Sequence, residues 1–399
     1  MRRTVSIIGG GPAGLMLAST LDNSRFTVTV FEQNAAPGRK FLVAGDGGLN
    51  LTHSEDAQIF ISRYTPQGFL TTAFRHFNNR DLITWFKLIG IPAYTGSSGR
   101  VFPDKTIKPV TVLNAILDNL NRKKVAILTK HRWLGFGEEK EIVFENNNNQ
   151  LRIKTDVIVL CMGGASWPVT GSTGEWTSFL KLKNIDILPF KASNSAFEIK
   201  WKESIVKSLE GNPLKNITVT CGDKTHKGEI VLTKFGVEGS GIYPLSPQIR
   251  KALEEKGRAE ILIDLKPSMS QDQVRDKIIS AGGRGSYTAR VKKQLNLSDV
   301  QMLLLKDTSD KITFNDPAKL SLLIKSMPLE ITGTAAIAES ISTTGGISLT
   351  EINEDFMLKK MPGVYAIGEM LDYDAPTGGY LLQSCFTMGH YLGEILNKL

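Results

Sequence analysis

The chain reads as an α/β protein, with a doubly wound parallel-sheet domain split by an insertion and completed by the C-terminus. Three observations carry that reading. A short apolar run, Val5-Ser6-Ile7-Ile8, leads into Gly9-Gly10-Gly11-Pro12-Ala13-Gly14 and then into Leu15, Leu17, Ala18 and Leu21 at helical spacing, as a buried parallel strand feeding a helix would. The same texture returns near the end at Gly363-Val364-Tyr365-Ala366-Ile367-Gly368, ahead of a helix over 380–396. Between the two, from about Phe190, short alternating runs and frequent turns give way to polar helical segments.

Taken in order, the elements support that division. After the first helix, Phe26-Thr27-Val28-Thr29-Val30-Phe31 is a second strand and ends in Glu32. Residues 37–52 form a Gly-rich loop, and a loop of that length lines a ligand more readily than it fills space. Residues 68–92 and 113–120 read as helices, 125–128 as a strand, and Asn146 to Asn149 as a hairpin turn. Val157-Ile158-Val159-Leu160-Cys161 is the next buried strand. The expected boundaries are 1–190 plus 330–399 for the split domain and 191–329 for the insertion. Within the insertion, 191–244 is mainly β, forming a small antiparallel barrel-like sheet, and 245–325 is a mainly helical lobe.

Composition narrows the class. The chain has 399 residues and 41% hydrophobic content, enough for two or three domains with real cores. No apolar stretch reaches the ~18 residues of a membrane span, and the N-terminus lacks a signal-peptide pattern. The three cysteines, Cys161, Cys221 and Cys385, are too scattered for a disulfide framework, zinc knuckle or dithiol. Cys161 and Cys385 lie in apolar runs and read as inert core thiols. No metal-ligand spacing appears, so no metal is expected, and a cytoplasmic location fits. The net charge of +8 suits an anionic cofactor or a nucleic acid. The clearest basic excess is Arg275, Lys277, Arg284, Arg290, Lys292 and Lys293 against Asp276 alone. A solvated helical face is the plainer reading there, because Tyr287 is its only aromatic residue.

Gly9, Gly11 and Gly14 complete Gly-x-Gly-x-x-Gly with a strand before, a helix after and an acidic residue about 20 positions on, the Rossmann-type dinucleotide fingerprint. Gly9 permits the turn, Gly11 lets backbone approach a pyrophosphate, and Gly14 allows close helix–strand packing. Pro12 and Ala13 open the helix whose N–H groups face the phosphates. Glu32 would bind ribose hydroxyls. A second fingerprint is missing, so a tightly held nicotinamide cofactor is not expected. The long loop with Arg39 and Lys40 fits FAD.

Jointly these features resemble the BaiN-like NAD(P)/FAD-dependent oxidoreductases, which include bile-acid enone reductases, aminoacetone oxidases and a reductase forming dihydrouridine in ribosomal RNA. The markers are the glycine loop; Gly38-Arg39-Lys40; Asn50-Leu51-Thr52; Gly163-Gly164-Ala165-Ser166-Trp167-Pro168 with Gly171-Ser172-Thr173-Gly174; Gly236-Val237-Glu238-Gly239; and Gly368-Glu369-Met370-Leu371-Asp372 leading to Gly378-Gly379-Tyr380. The resemblance spans essentially the whole chain and implies non-covalent FAD. It implies contacts from the glycine loop, Glu32, Gln33, Arg39, Lys40, Asn50 and Leu51, with Trp133, six residues beyond Ile127 of the strand after the helix, beside the adenine. Gly163 and Gly164 would close the adenosine side, and Gly368, Glu369 and Asp372 would serve the pyrophosphate and ribityl chain. Gly378, Gly379, Tyr380 and Leu381 would meet the flavin ring, where a helix N-terminus favours a reduced, anionic flavin. One departure stands out. Many members carry Gly-Gly-Arg-Cys-Asn-Leu-Thr-Asn where this chain has Asp46-Gly47-Gly48-Leu49-Asn50-Leu51-Thr52-His53, so a mechanism resting on that arginine or cysteine does not transfer.

His53 is the titratable candidate for catalysis, while His390 on the terminal helix reads as packed or exposed rather than catalytic. The expected activity is hydride transfer between FAD and an activated C=C or C=N of a small substrate, with NAD(P)H as a transient donor. Two alternatives stand beside it. One is reduction of RNA uridines, with RNA held by the basic segment from Arg275 to Lys293. The other is a non-catalytic flavin-binding protein.

Overall fold

In the computed structural model, residues 2–43, 48–138 and 141–399 are described. The chain divides into two compact units, Met1–Ser193 with Ile337–Leu399, and Asn194–Ala336.

The first unit is built on a five-stranded parallel sheet. Its order is Val364–Ala366, Val157–Leu160, Arg3–Ile8, Phe26–Phe31 and Ala126–Leu128. Val5 pairs with Val157 on one side and Val28 on the other. The chain therefore leaves the central strand toward one edge and later returns to the other, and the crevice at that reversal is where open α/β sheets hold ligands. The helix Pro12–Thr20 starts with proline at its first turn behind an extended Gly11, a position where the missing N–H costs nothing. The terminal helix Tyr380–Lys398 lies directly on it. A Cβ on Gly389 would stand 2.4 Å from the Ala13 carbonyl oxygen, and one on Gly393 2.6 Å from Thr20. Two glycines one turn apart thus bring the ends of the polypeptide into backbone contact. Ile7, Leu17, Val30, Val159, Phe386 and Leu392 are fully buried in this core, each worth roughly 1.5–3 kcal/mol relative to exposure.

Two local expectations are corrected. Residues 68–92 hold two helices, Thr71–His76 and Asn79–Leu88, because Asn78 caps the second through a reciprocal capping box with Asp81. The Gly-rich loop contains a short helix, Arg39–Val43. Trp133, beyond the strand Ala126–Leu128, lies on Arg132–Phe136 in a separate three-stranded meander with Glu141–Asn146 and Asn149–Lys154.

The second unit is a seven-stranded antiparallel sheet in the order Met327–Ile331, Ala259–Asp264, Pro213–Cys221, Lys224–Leu232, Gly236–Glu238, Phe197–Glu198 and Gly333–Thr334. Helices between Ser246 and Lys325 accompany it around a core of its own. Ala259–Asp264 lies inside the stretch read as helical. Its period-2 burial, with Ala259, Ile261 and Ile263 inward, marks a strand with one core-facing side. Among the described residues no helix is long and apolar enough to cross a membrane.

Candidate cofactor and active site

The site begins with what the glycines allow. Gly9 has φ +112°, and a Cβ there would sit 2.3 Å from the Cys161 carbonyl oxygen; a Cβ on Gly14 would sit 2.3 Å from the Gly9 carbonyl oxygen. These two glycines are packing requirements. At Gly11 no atom lies within 4 Å of the Cβ position, so its bare backbone faces open space. The N–H groups of Gly11, Ala13 and Gly14 have no acceptor among the described residues. Glu32, buried, accepts from Gly10 N at 3.0 Å and from Asn34 N and Nδ2 at 2.8 and 2.9 Å. Arg39 in turn donates to Asn34 Oδ1 at 3.0 Å. The acidic end of the second strand thereby fixes the glycine loop and keeps lone pairs for a further donor.

A cavity of about 520 Å³ runs from this loop. Gly9, Gly11, Pro12, Ala13, Glu32, Gln33, Arg39, Lys40, Trp133, Gly163, Gly368 and Glu369 all line it. At one end stand Phe31, His131, Arg132, Trp176 and Phe179, none of them anticipated. Trp133 packs edge-on against Phe136 and Phe179, and its buried indole N–H has no partner. Asn34 Nδ2 donates to the Thr170 carbonyl at 3.1 Å, Gln33 Nε2 donates to that of Gly171, and Trp176 Nε1 donates to the Gly163 carbonyl at 3.0 Å. These bonds hold the segment around Gly171 against the end of the second strand. Its signal was present in Gly171-Ser172-Thr173-Gly174, since Gly171 has φ +97°.

At the other end Lys40 Nζ bonds Glu369 Oε2 at 2.8 Å and Ser166 Oγ at 2.7 Å, while Glu369 Oε1 accepts from Thr343 N at 3.0 Å. Cys161 and Cys385 also line the cavity. Burial pushes the Cys385 thiol up to about 12, with Glu369 adding to the effect, and burial also holds Cys161 well above the ordinary thiol range. Both are protonated, poor nucleophiles.

The remaining sequence candidates lie elsewhere. Gly14 packs behind the loop. Gly164 faces Thr343 Oγ1, 2.1 Å from where its Cβ would be. Asp372 is engaged by Gly345 N at 2.8 Å and Thr344 Oγ1 at 3.3 Å. Asn50 donates its side-chain amide to the Thr52 and Val101 carbonyls, and Leu51 is core. His53, Gly378, Gly379, Tyr380 and Leu381 form a second cluster outside the cavity lining. There the Tyr380 hydroxyl donates to Glu55 Oε1 at 2.6 Å, Arg63 grips the same carboxylate, and the His53 ring stacks on Tyr380 at 5.5 Å. His53 Nδ1 accepts from Glu55 N at 3.2 Å, so Nε2 carries the proton toward the Ser98 carbonyl at 3.0 Å. In the departing loop segment, Asp46 and Gly47 lie outside the described residues. Gly48 has φ +118° and Leu49 is buried: a left-handed backbone replaces the arginine and a core side chain the cysteine. His390 stacks on Phe77 at 4.1 Å.

The residues fit a dinucleotide, with an open glycine cradle, free N–H groups at a helix start, a buried carboxylate ending the second strand and an aromatic end wall. Fold and site together define an FAD-dependent oxidoreductase. The chain belongs to the HI0933-like protein Rossmann domain family, whose model matches residues 3–395. It is 24% identical over 407 residues to a 3-dehydro-bile acid delta(4,6)-reductase of Clostridium scindens, covering 98% of each chain. It is 25% identical over 387 residues to a ribosomal RNA dihydrouridine synthase of Haemophilus influenzae, covering 94% of each. Among solved structures, the 3-ketosteroid-delta4-(5alpha)-dehydrogenase of Rhodococcus jostii shares the fold at a TM-score of 0.52 and 10% identity, with 98% of this chain and 96% of that one covered.

Proposed function

We propose that the protein transfers hydride between bound FAD and an activated C=C or C=N of a small substrate, with NAD(P)H as transient donor, in the cytoplasm. The observation that carries this reading is the cavity itself, which both ends of the polypeptide build from an open glycine cradle to the Lys40–Glu369 pair. FAD, when bound, supplies the two-electron chemistry. The chain's part is to bind, orient and protonate. Glu32 and the helix start at Pro12 would hold the adenosine and phosphate end. Lys40 and Glu369 would hold the ribityl end. His53, whose ring is held by Tyr380, is the proposed residue for handling the accompanying proton. The relative named for a bile-acid reductase supports an enone-type acceptor. Anaerobic titration tests the donor: NADH or NADPH should bleach the visible flavin band, and failure of both counts against it. Re-oxidation of the reduced protein by cyclic enones then tests the acceptor.

Reduction of RNA uridines is the second reading, supported by the relative named for ribosomal RNA dihydrouridine synthesis and by the net charge. Its basic segment is partly neutralised: Arg275 pairs with Asp272 at 3.0 Å and Asp276 at 3.5 Å, and Lys292 pairs with Asp299. Dihydrouridine content in ribosomal and transfer RNA from a deletion strain decides it; an unchanged content sinks the idea.

A further inference from the structure

The second unit holds a cavity that flavin chemistry leaves unused. Its volume is about 510 Å³, within the range of small-molecule sites. Three chain segments meet there: Lys215 on the strand Pro213–Cys221, Lys266 and Ser268 on the turn after Ala259–Asp264, and Gln301 on the helix Asp299–Asp307. Among its described lining residues two are lysines and none is acidic.

Each donor is held in a particular way. Gln301 is 6% exposed; its Oε1 accepts from Ser298 N at 2.9 Å in a capping box, and its Nε2 makes no hydrogen bond to the described residues. That amide is solvent-accessible, so it can donate to an acceptor in the cavity. Lys266 Nζ donates to the Asn296 carbonyl at 2.8 Å, and burial lowers its pKa, a strain that a bound anion would relieve. Lys215 is loosely placed, 3.9 Å from Glu229 Oε2. The nearby carboxylate of Asp264 is committed below: its Oδ2 holds Lys325 Nζ at 2.6 Å and its Oδ1 accepts from Lys266 N at 2.9 Å. Lys325 Nζ also donates to the Lys266 carbonyl at 2.9 Å, so the turn carrying Lys266 and Ser268 is pinned before any ligand arrives.

We propose that this cavity binds the phosphate monoester of a small molecule. Ammonium, hydroxyl and amide donors approach from three separate segments, which matches the three terminal oxygens of a phosphoryl group better than the two of a carboxylate. The space beyond admits a group the size of a nucleoside.

Calorimetric titration of the FAD-saturated protein tests this, since bound cofactor closes the first cavity to nucleotides. The probes are inorganic phosphate and AMP. The expected result is 1:1 binding of at least one with Kd below about 1 mM. Lys215→Glu and Ser268→Asp, both at exposed positions, should each weaken it about tenfold or more while the flavin spectrum and thermal midpoint stay unchanged. No heat from either probe up to about 10 mM overturns the proposal, as does equal binding by both variants. Binding of a short RNA that phosphate and AMP do not displace would make this a nucleic-acid contact and overturn the small-ligand assignment.

Discussion

The helices Pro12–Thr20 and Tyr380–Lys398 both start behind glycine, but the space at those glycines differs. At the first, Gly11 looks into 4 Å of open room and the adjoining N–H groups are free. At the second, a Cβ on Gly379 would stand 2.6–2.8 Å from three backbone atoms of Thr52, at φ +94°. Thr52 Oγ1 then bonds Gln383 Oε1 at 2.7 Å, and the Tyr64 hydroxyl bonds the Tyr380 carbonyl at 2.8 Å. One glycine leaves room for a ligand; the other lets two segments of chain touch. A glycine before a helix therefore announces a close approach without saying what approaches.

The sharpest way to break this contrast is Gly379→Ala. Backbone collision and a left-handed φ act together, so the loss should exceed about 3 kcal/mol in chemical denaturation. A variant of native stability that merely loses FAD would show that Gly379 serves the cofactor and not the joint with Thr52.

Next in size is Lys40→Met. It leaves Glu369, whose side chain is 8% exposed, without its cation, whereas Lys40 keeps 27% of its own exposure. Removing one member of a buried pair costs about 3–5 kcal/mol; solvent at Lys40 reduces this to about 2–3. The double variant Lys40→Met/Glu369→Gln should recover part of the loss in urea melts, because no buried charge is then stranded. If the double variant is no more stable than the single, the pair is not what holds these two segments together.

Gly11→Ala should do the converse of Gly379→Ala. Its Cβ meets no protein atom at an ordinary φ of −85°, so the FAD-free protein should melt unchanged. FAD should bind about tenfold more weakly, roughly 1.4 kcal/mol, because the methyl stands in the cradle. Equal affinity for FAD would mean that no phosphate passes over Gly11.

What was legible in the sequence follows the same division. Gly9, Gly11, Gly14 and Glu32 could be read because the constraint is on the backbone and local in sequence. The end wall was read only in part. Trp133 reaches the cavity from the meander Arg132–Phe136, and His131, Trp176 and Phe179 arrive with it; tertiary packing that no local pattern encodes assembles them. Asp372 looked like a cofactor ligand by its place after Gly368-Glu369, yet its carboxylate satisfies Gly345 N. Lys40 and Glu369 were each recognisable, but not their pairing across 329 positions. Gly48 and Leu49 marked a departure whose physical meaning, a left-handed turn and a core side chain, needed the fold.

The smallest effect concerns how the terminal helix holds its far end. His390 stacks on Phe77 with its ring planes 14° apart, and its Nδ1 is buried without a partner. Burial lowers its pKa below the ordinary 6.5; Glu394 and Asp81 pull the other way, and His76 adds to the lowering. The unfolded chain therefore binds this proton more tightly than the folded one. The neutral ring's contribution to stability is complete above about pH 6.5 and is lost as pH falls through the folded-state value. Denaturation midpoints should drop between pH 7.5 and 5.5 by more in the wild type than in His390→Phe, which keeps the stack and removes the titration. Parallel pH profiles would show that His390 takes its proton at no cost to the fold.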